Sequence, residues 1–191
     1  MIDKRATLIE TAIRLFHERG FWDTPTALIA REAGVANGTL FNYFPSKAAL
    51  VEAVYLSLKQ SWATHLQAAA PASGSVHDRL AGYWHGAIDW ARAHPDRYAL
   101  LGQLKLSDEI GDGARAHGID MFGATLELIG EAMARGELHP IEPALLKALA
   151  EAQIGAAIEF LVNHPDAMAA DTAHTSFEIF WRGIAVAPTG D

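Results

Sequence analysis
The chain has 191 residues, a formal net charge of −8, a hydrophobic share of 50% and no cysteine. That length holds one large domain or two small ones, and the lack of cysteine excludes a disulfide scaffold, a Cys-based zinc finger and a catalytic thiol. No apolar run approaches the ~18 residues that span a bilayer, and the opening Met1-Ile2-Asp3-Lys4-Arg5 lacks the apolar stretch of a secretory signal, so a cytoplasmic protein is expected.

Nearly every segment has a helical period. Leu8, Ile9, Ala12, Ile13 and Phe16 step by three and four, and Gly20 follows as a stop. Thr24-Pro25 predicts an N-cap and first residue of a short second helix, with Leu28, Ile29 and Ala33 buried and Gly34 at its end. A third short helix is expected from Gly38 to about Phe44, capped by Asn37 and closed by Pro45; Ser46 caps a long fourth. That fourth helix fades into the linker Ala68–Ser75, and Ser75-x-x-Asp78 opens the fifth. His94-Pro95 breaks it before a sixth around Leu101.

Gly111-Asp112-Gly113 precedes a seventh helix with Met121, Phe122, Leu126, Ile129 and Met133 on one face, ended by Gly136. The eighth is expected from Pro143 to about Asn163, and the ninth from Asp171 or Thr172 with Phe177, Phe180, Trp181 and Ile184 aligned. There is no alternating strand pattern and no 20–50-residue repeat. The expected class is all-α with about nine helices.

Two short helices about a glycine suit a helix-turn-helix over about 25–44, whose second helix enters the major groove. Its outer face is Asn37, Gly38, Thr39, Phe41, Asn42 and Tyr43. Asn pairs with adenine, Thr or Phe touches a thymine methyl, and Tyr reaches a phosphate. Residues 1–59 carry seven Lys/Arg and six Asp/Glu, residues 60–191 eight and seventeen. Only the first part tolerates a polyanion. Ordinary helical proteins also contain two short helices with a glycine between them, so spacing alone leaves that reading open.

The stretch resembles the N-terminal domain of TetR-family transcriptional regulators. The resemblance rests on Ile13 to Gly20-Phe21, on Ile29-Ala30-Arg31-Glu32-Ala33-Gly34-Val35, on Gly38-Thr39-Leu40-Phe41-Asn42-Tyr43-Phe44-Pro45-Ser46-Lys47, and on Leu50. It covers about residues 5–60. It implies a three-helix DNA-binding head over 1–47 and a helical ligand-binding and dimerisation body over 48–187. By position, Thr26 would meet a phosphate, Asn37, Gly38 and Thr39 would lie near base edges, Phe41 would sit in the groove, and Asn42, Tyr43 and Lys47 would clamp the backbone. Asn37 stands where the family often has Ser, just before a glycine that Lys or Arg commonly precedes, and Phe41 stands where a tyrosine is common. Both departures predict weak direct base reading and more reliance on DNA shape.

The implied function is a transcriptional regulator, a repressor released from a palindromic operator by a small hydrophobic or aromatic ligand. The alternatives are a DNA-binding activator and a helical-bundle binding protein or enzyme without DNA binding. No Gly-rich phosphate loop, G-x-S-x-G or paired carboxylates suggest catalysis, and no cofactor is expected. Nine histidines supply only half-sites such as His85/Asp89 and His117/Asp120, so no metal is expected.

An apolar pocket is expected from Tyr83, Trp84, Ile88, Tyr98, Met121, Phe122, Leu126 and Phe160, with His85 and Gln103 as polar groups. Glu159 is expected on the exposed side of its helix. The small residues Ala152, Gly155 and Ala156 let another helix approach, in a partner or within a core. The resemblance implies a homodimer built on the last two helices, with Phe177 and Trp181 beside those residues.

Overall fold
The computed structural model describes residues 3–187, and among them ten helices and no strand. They are α1 Lys4–Arg19, α2 Thr26–Glu32, α3 Asn37–Tyr43, α4 Lys47–Ala69, α5 Val76–Ala93, α6 Pro95–Lys105, α7 Asp112–Asp120, α8 Gly123–Ala134, α9 Pro143–Asn163 and α10 Ala169–Ile184. The tenth arises because the expected seventh helix is two. The chain turns at Met121–Phe122, and Phe122, with φ −106° and ψ 15°, starts α8 afresh ahead of Gly123. Glycine weakens the case for one unbroken helix there.

Local signals act as their chemistry dictates, with exceptions. Ser46 Oγ accepts the Ala49 N–H at 3.1 Å, Ser75 Oγ accepts that of Asp78 at 3.1 Å, and Glu142 accepts that of Leu145 at 2.9 Å. Thr24 is not an N-cap. It is fully buried, and its hydroxyl donates to the Gly20 carbonyl at 2.7 Å, tying down the end of α1; Pro25 takes the cap position. Asn37 is the first residue of α3 rather than its cap, which is Ala36. The last helix begins at Ala169, two residues before Asp171.

The chain forms two compact units. The first comprises, among the described residues, 3–61 and 94–121. Its core is Leu8, Ile13, Phe16, Ile29, Leu40, Phe44, Leu50 and Leu100. α6 packs on α1, where Arg97 donates to Glu10 at 2.6 Å. Arg115 folds the turn between α6 and α7 by donating to the carbonyls of Lys105, Ser107 and Ile110. Glu52 of α4 accepts the Gly111 N–H at 3.0 Å.

The second unit comprises, among the described residues, 62–93 and 122–187. Its cores are Trp84, Ile88 and Trp90 on α5, with Leu128, Leu146, Phe177 and Ile184 on the later helices. Within it α5 lies hard against the end of α4. A Cβ on Gly82 would fall 2.6 Å from the Ala70 Cα, and one on Gly86 2.8 Å from the Ala69 Cβ. Only glycine permits that approach. Tyr98, Gln103 and Met121, expected beside the pocket in the body, fall in the first unit.

Candidate DNA-binding face and effector cavity
α2 ends in a motif that aims α3. Gly34 adopts φ +69°, the Val35 N–H reaches back to the Ala30 carbonyl at 3.0 Å, and the Gly34 N–H to Arg31 at 3.1 Å. This is a Schellman stop, with glycine where a side chain would strain the backbone. The Ala36 carbonyl then accepts from Thr39 and Leu40, starting α3. Ile29, Ala30, Leu40 and Phe44 are buried, while Ala33 and Val35 are half-buried. With that side of α3 anchored, Asn37, Gly38, Phe41, Asn42 and Tyr43 are exposed and Thr39 is half-buried. Phe41 and Tyr43 are 41% and 43% exposed, a costly position for aromatic rings without an outside partner. Thr26 is half-buried in the first turn of α2.

Lys47 is not a freely solvated charge. Its Nζ donates to the Trp22 carbonyl at 2.9 Å, which fixes the ammonium beside the start of α4 and leaves two of its three donors. Trp22 was not anticipated. It lies 64% exposed and packs on Phe21 with centroids 4.7 Å apart. A lone tryptophan in a loop carries no periodic signal that could have marked it.

The second unit encloses a cavity of about 400 Å³ among α5, α8, α9, α10 and Leu66 of α4. Of the residues expected around a ligand pocket, Tyr83, Trp84 and Leu126 line this cavity. The other expected residues do not. Ile88 lies a turn further along α5, fully buried in the core; His85 is half-buried off the cavity face. Phe122 packs edge-on against Trp62, and Phe160 stays exposed and stacks on His164. In their place stand Leu80, Ile129, Met133, Leu146, Ala150, Ile154, Phe177, Phe180 and Ile184. The apolar stripe of α10 was legible, but not that it faces a void. Trp84 Nε1 donates to Ser176 Oγ at 2.9 Å, so its polar edge is satisfied.

α9 and α10 pack together and leave an apolar stripe open. Leu145, Leu149, Ala152, Ala156 and Phe160 recur along α9 by three and four, with Ile179 62% exposed on α10. Phe177 and Trp181 are not on it. Phe177 is buried at the cavity, and Trp181 is half-buried against His77 and Phe177. Gly155 is half-buried, and Glu159 is exposed.

His77 joins α5 to α10. Its Nε2 lies 2.8 Å from Glu178 and its Nδ1 3.3 Å from Asp78, with the ring edge-on to Phe177 and Trp181. Burial disfavours the charged ring, but the hydrogen bonds to Glu178 and Asp78 outweigh it and raise the pKa above the ordinary 6.5. Asp78, through Ser75 first and then His77, and Glu178, through His77, are held below their ordinary values. A raised histidine adds stability that is complete below 6.5 and lost as pH rises through its folded pKa. The lowered carboxylates add stability that is lost only as pH falls through their folded values. The cluster therefore stabilises most between the carboxylate and histidine ranges. Thermal midpoints measured at pH 6 and pH 8 are expected to favour pH 6 more in the wild type than in His77→Gln. Equal pH dependence in the two proteins would remove this role.

Among the described residues no three His, Asp or Glu gather as a metal site, and no helix is long and apolar enough to cross a membrane. A second helix turned outward from a Schellman turn defines a helix-turn-helix protein, here with an apolar cavity in its other unit. The model of bacterial regulatory proteins of the tetR family matches residues 8–54. A tetR family transcription regulator from Shewanella sp. PV-4 superposes with TM-score 0.89 at 36% identity, over 97% of this chain and 100% of that one. The chain belongs to the TetR family. The HTH-type transcriptional regulator BetI of Brucella canis is 36% identical over 78 residues, 41% of this chain and 39% of BetI. The nucleoid occlusion factor SlmA of Haemophilus influenzae is 28% identical over 100 residues, 52% of this chain and 46% of SlmA. The chain thus spans less than half the length of these two relatives.

Proposed function
We propose that the protein is a DNA-binding transcriptional regulator, a repressor that acts as a homodimer on a palindromic operator and leaves it when a small hydrophobic molecule fills the cavity. The observation that carries this reading is the outward face of α3, where two aromatic rings and two asparagines stand exposed on a short helix that follows the Gly34 turn. Thr26, Tyr43 and Lys47 would hold phosphates, and Asn42 would assist them. Asn37, Gly38, Thr39 and Phe41 would face the groove. Trp22, whose carbonyl accepts from Lys47, would extend the same face. A partner copy would cover the open stripe of α9 and α10. The DNA-binding part remains residues 1–47, and the effector and dimer parts lie within 48–187. The repressor's place is the cytoplasm, and its reading involves no catalytic step.

The test is selection of bound duplexes from a random pool, followed by gel shifts at several salt concentrations. A sequence-specific, salt-sensitive complex is expected despite the acidic net charge. Lys47→Ala and Tyr43→Ala should weaken binding to selected and random duplexes alike, whereas Thr39→Ala should change which sequence is preferred. Failure to enrich any sequence would end the regulator reading. A preference altered by Lys47→Ala and untouched by Thr39→Ala would reverse the two roles.

A further inference from the structure
The cavity wall divides by chemistry. Leu66, Leu80, Trp84, Leu146, Phe177 and Phe180 are buried and offer hydrocarbon, because the indole N–H of Trp84 is already given to Ser176. The polar members, Tyr83, Thr125 and Lys147, are partly or largely exposed, as are the apolar Leu126 and Pro143, and none of them belongs to the buried wall. A polar group carried to the inner wall would find no partner and would lose its hydration. A ligand therefore enters apolar end first and keeps its polar end at the outer rim.

The charge of that rim narrows the ligand further. Among the described residues Lys147 is the one charged residue in the wall, and its Nζ lies 3.1 Å from Glu151. The described residues of the second unit carry five Lys/Arg against eleven Asp/Glu. An anionic head could take a remaining Lys147 donor only by sitting beside the Glu151 carboxylate, inside a strongly acidic unit. A cationic head would meet the ammonium of Lys147. A neutral head that both donates and accepts hydrogen bonds can use the Lys147–Glu151 pair as it stands.

We propose that the cavity takes an uncharged amphiphile, with a hydrocarbon body against the inner wall and one neutral hydrogen-bonding head beside Lys147 and Thr125. This rests on the reading of the cavity as the effector site and names the class of effector.

The experiment is calorimetric titration of the full chain near pH 7 with three probes that share a ten-carbon tail, the two ions kept below their micellar concentrations and the alcohol below its aqueous solubility. They are decan-1-ol, decanoate and decyltrimethylammonium. Decan-1-ol is expected to bind at least about tenfold more tightly than either ion. Ala150→Trp, which fills the cavity, should abolish its binding. Gly130→Leu is the second variant, should the first not fold; a Cβ there meets nothing within 4 Å, so the added side chain enters open space. Decanoate or the ammonium ion binding most tightly would overturn the proposal. So would no binding by decan-1-ol, or binding that a folded cavity-filling variant leaves unchanged. Release of a selected DNA duplex by decan-1-ol is measured separately. A protein that binds the alcohol and keeps its DNA retains the ligand class and loses the effector role.

Discussion

Leu40→Ala is expected to destabilise the first unit by about 2–5 kcal/mol, the usual cost of truncating a fully buried leucine, and to abolish DNA binding. Leu40 is the one buried residue of α3 and has no exposed surface. α3 has seven residues, too few to be stable alone. Its orientation depends on Leu40 inside and on the Gly34 turn behind. Total stability of a domain is about 5–15 kcal/mol, so the loss removes a large part of it. Chemical denaturation followed by circular dichroism reads the stability, and a gel shift reads the binding. The neighbouring exposed change Asn42→Ala should weaken DNA binding without moving the denaturation midpoint. If Leu40→Ala left both measurements unchanged, α3 would not be held as described.

Ala156→Glu is expected to dissociate the proposed dimer with the monomer still folded. Ala156 is exposed on α9, in line with Leu149, Ala152 and Phe160, so a carboxylate there meets solvent in the monomer. In a dimer packed on that stripe it would be buried against a second copy of the same charge. Desolvating an unpaired carboxylate costs several kcal/mol, and a dissociation constant raised at least about hundredfold follows from ~3 kcal/mol. Sedimentation velocity over a concentration series gives the constant. Operator affinity should fall with it, because two heads must hold half-sites about one turn of DNA apart. A dimer that survives this change would have its interface elsewhere.

The amino-acid pattern carried much of this architecture. Pro143–Asn163 was legible from its proline start and its His164-Pro165 end, and α9 has those bounds. Ser46 and Ser75 announced two helix starts because a serine side chain satisfies a specific orphan N–H. Gly34 between two short apolar patterns suits a helix-turn-helix but leaves it open, and the motif residues around it, through their resemblance to a known family, make it legible; Gly34 does take a positive φ. Thr24 misled, since Thr-Pro is a common cap and nothing local says that its hydroxyl is buried against Gly20. The split at Met121–Phe122 was hidden by an apolar face that stays in period across the break.

By itself, then, the sequence determined an all-α chain, most of its helix ends and the outward residues of α3, because capping, turns and 3.6-residue periodicity are local properties; the TetR family was legible only as a resemblance carried by the motif residues between Ile13 and Leu50. Only the tertiary structure decided that α6 and α7 pack with the first unit, that Lys47 is tethered to Trp22, and that Tyr83, Trp84 and Leu126 meet Phe177 and Ile184 around a void. A periodic stripe marks which side of a helix avoids water. It does not say whether that side meets close-packed neighbours or empty space, since a cavity is the volume that side chains from several helices jointly fail to fill.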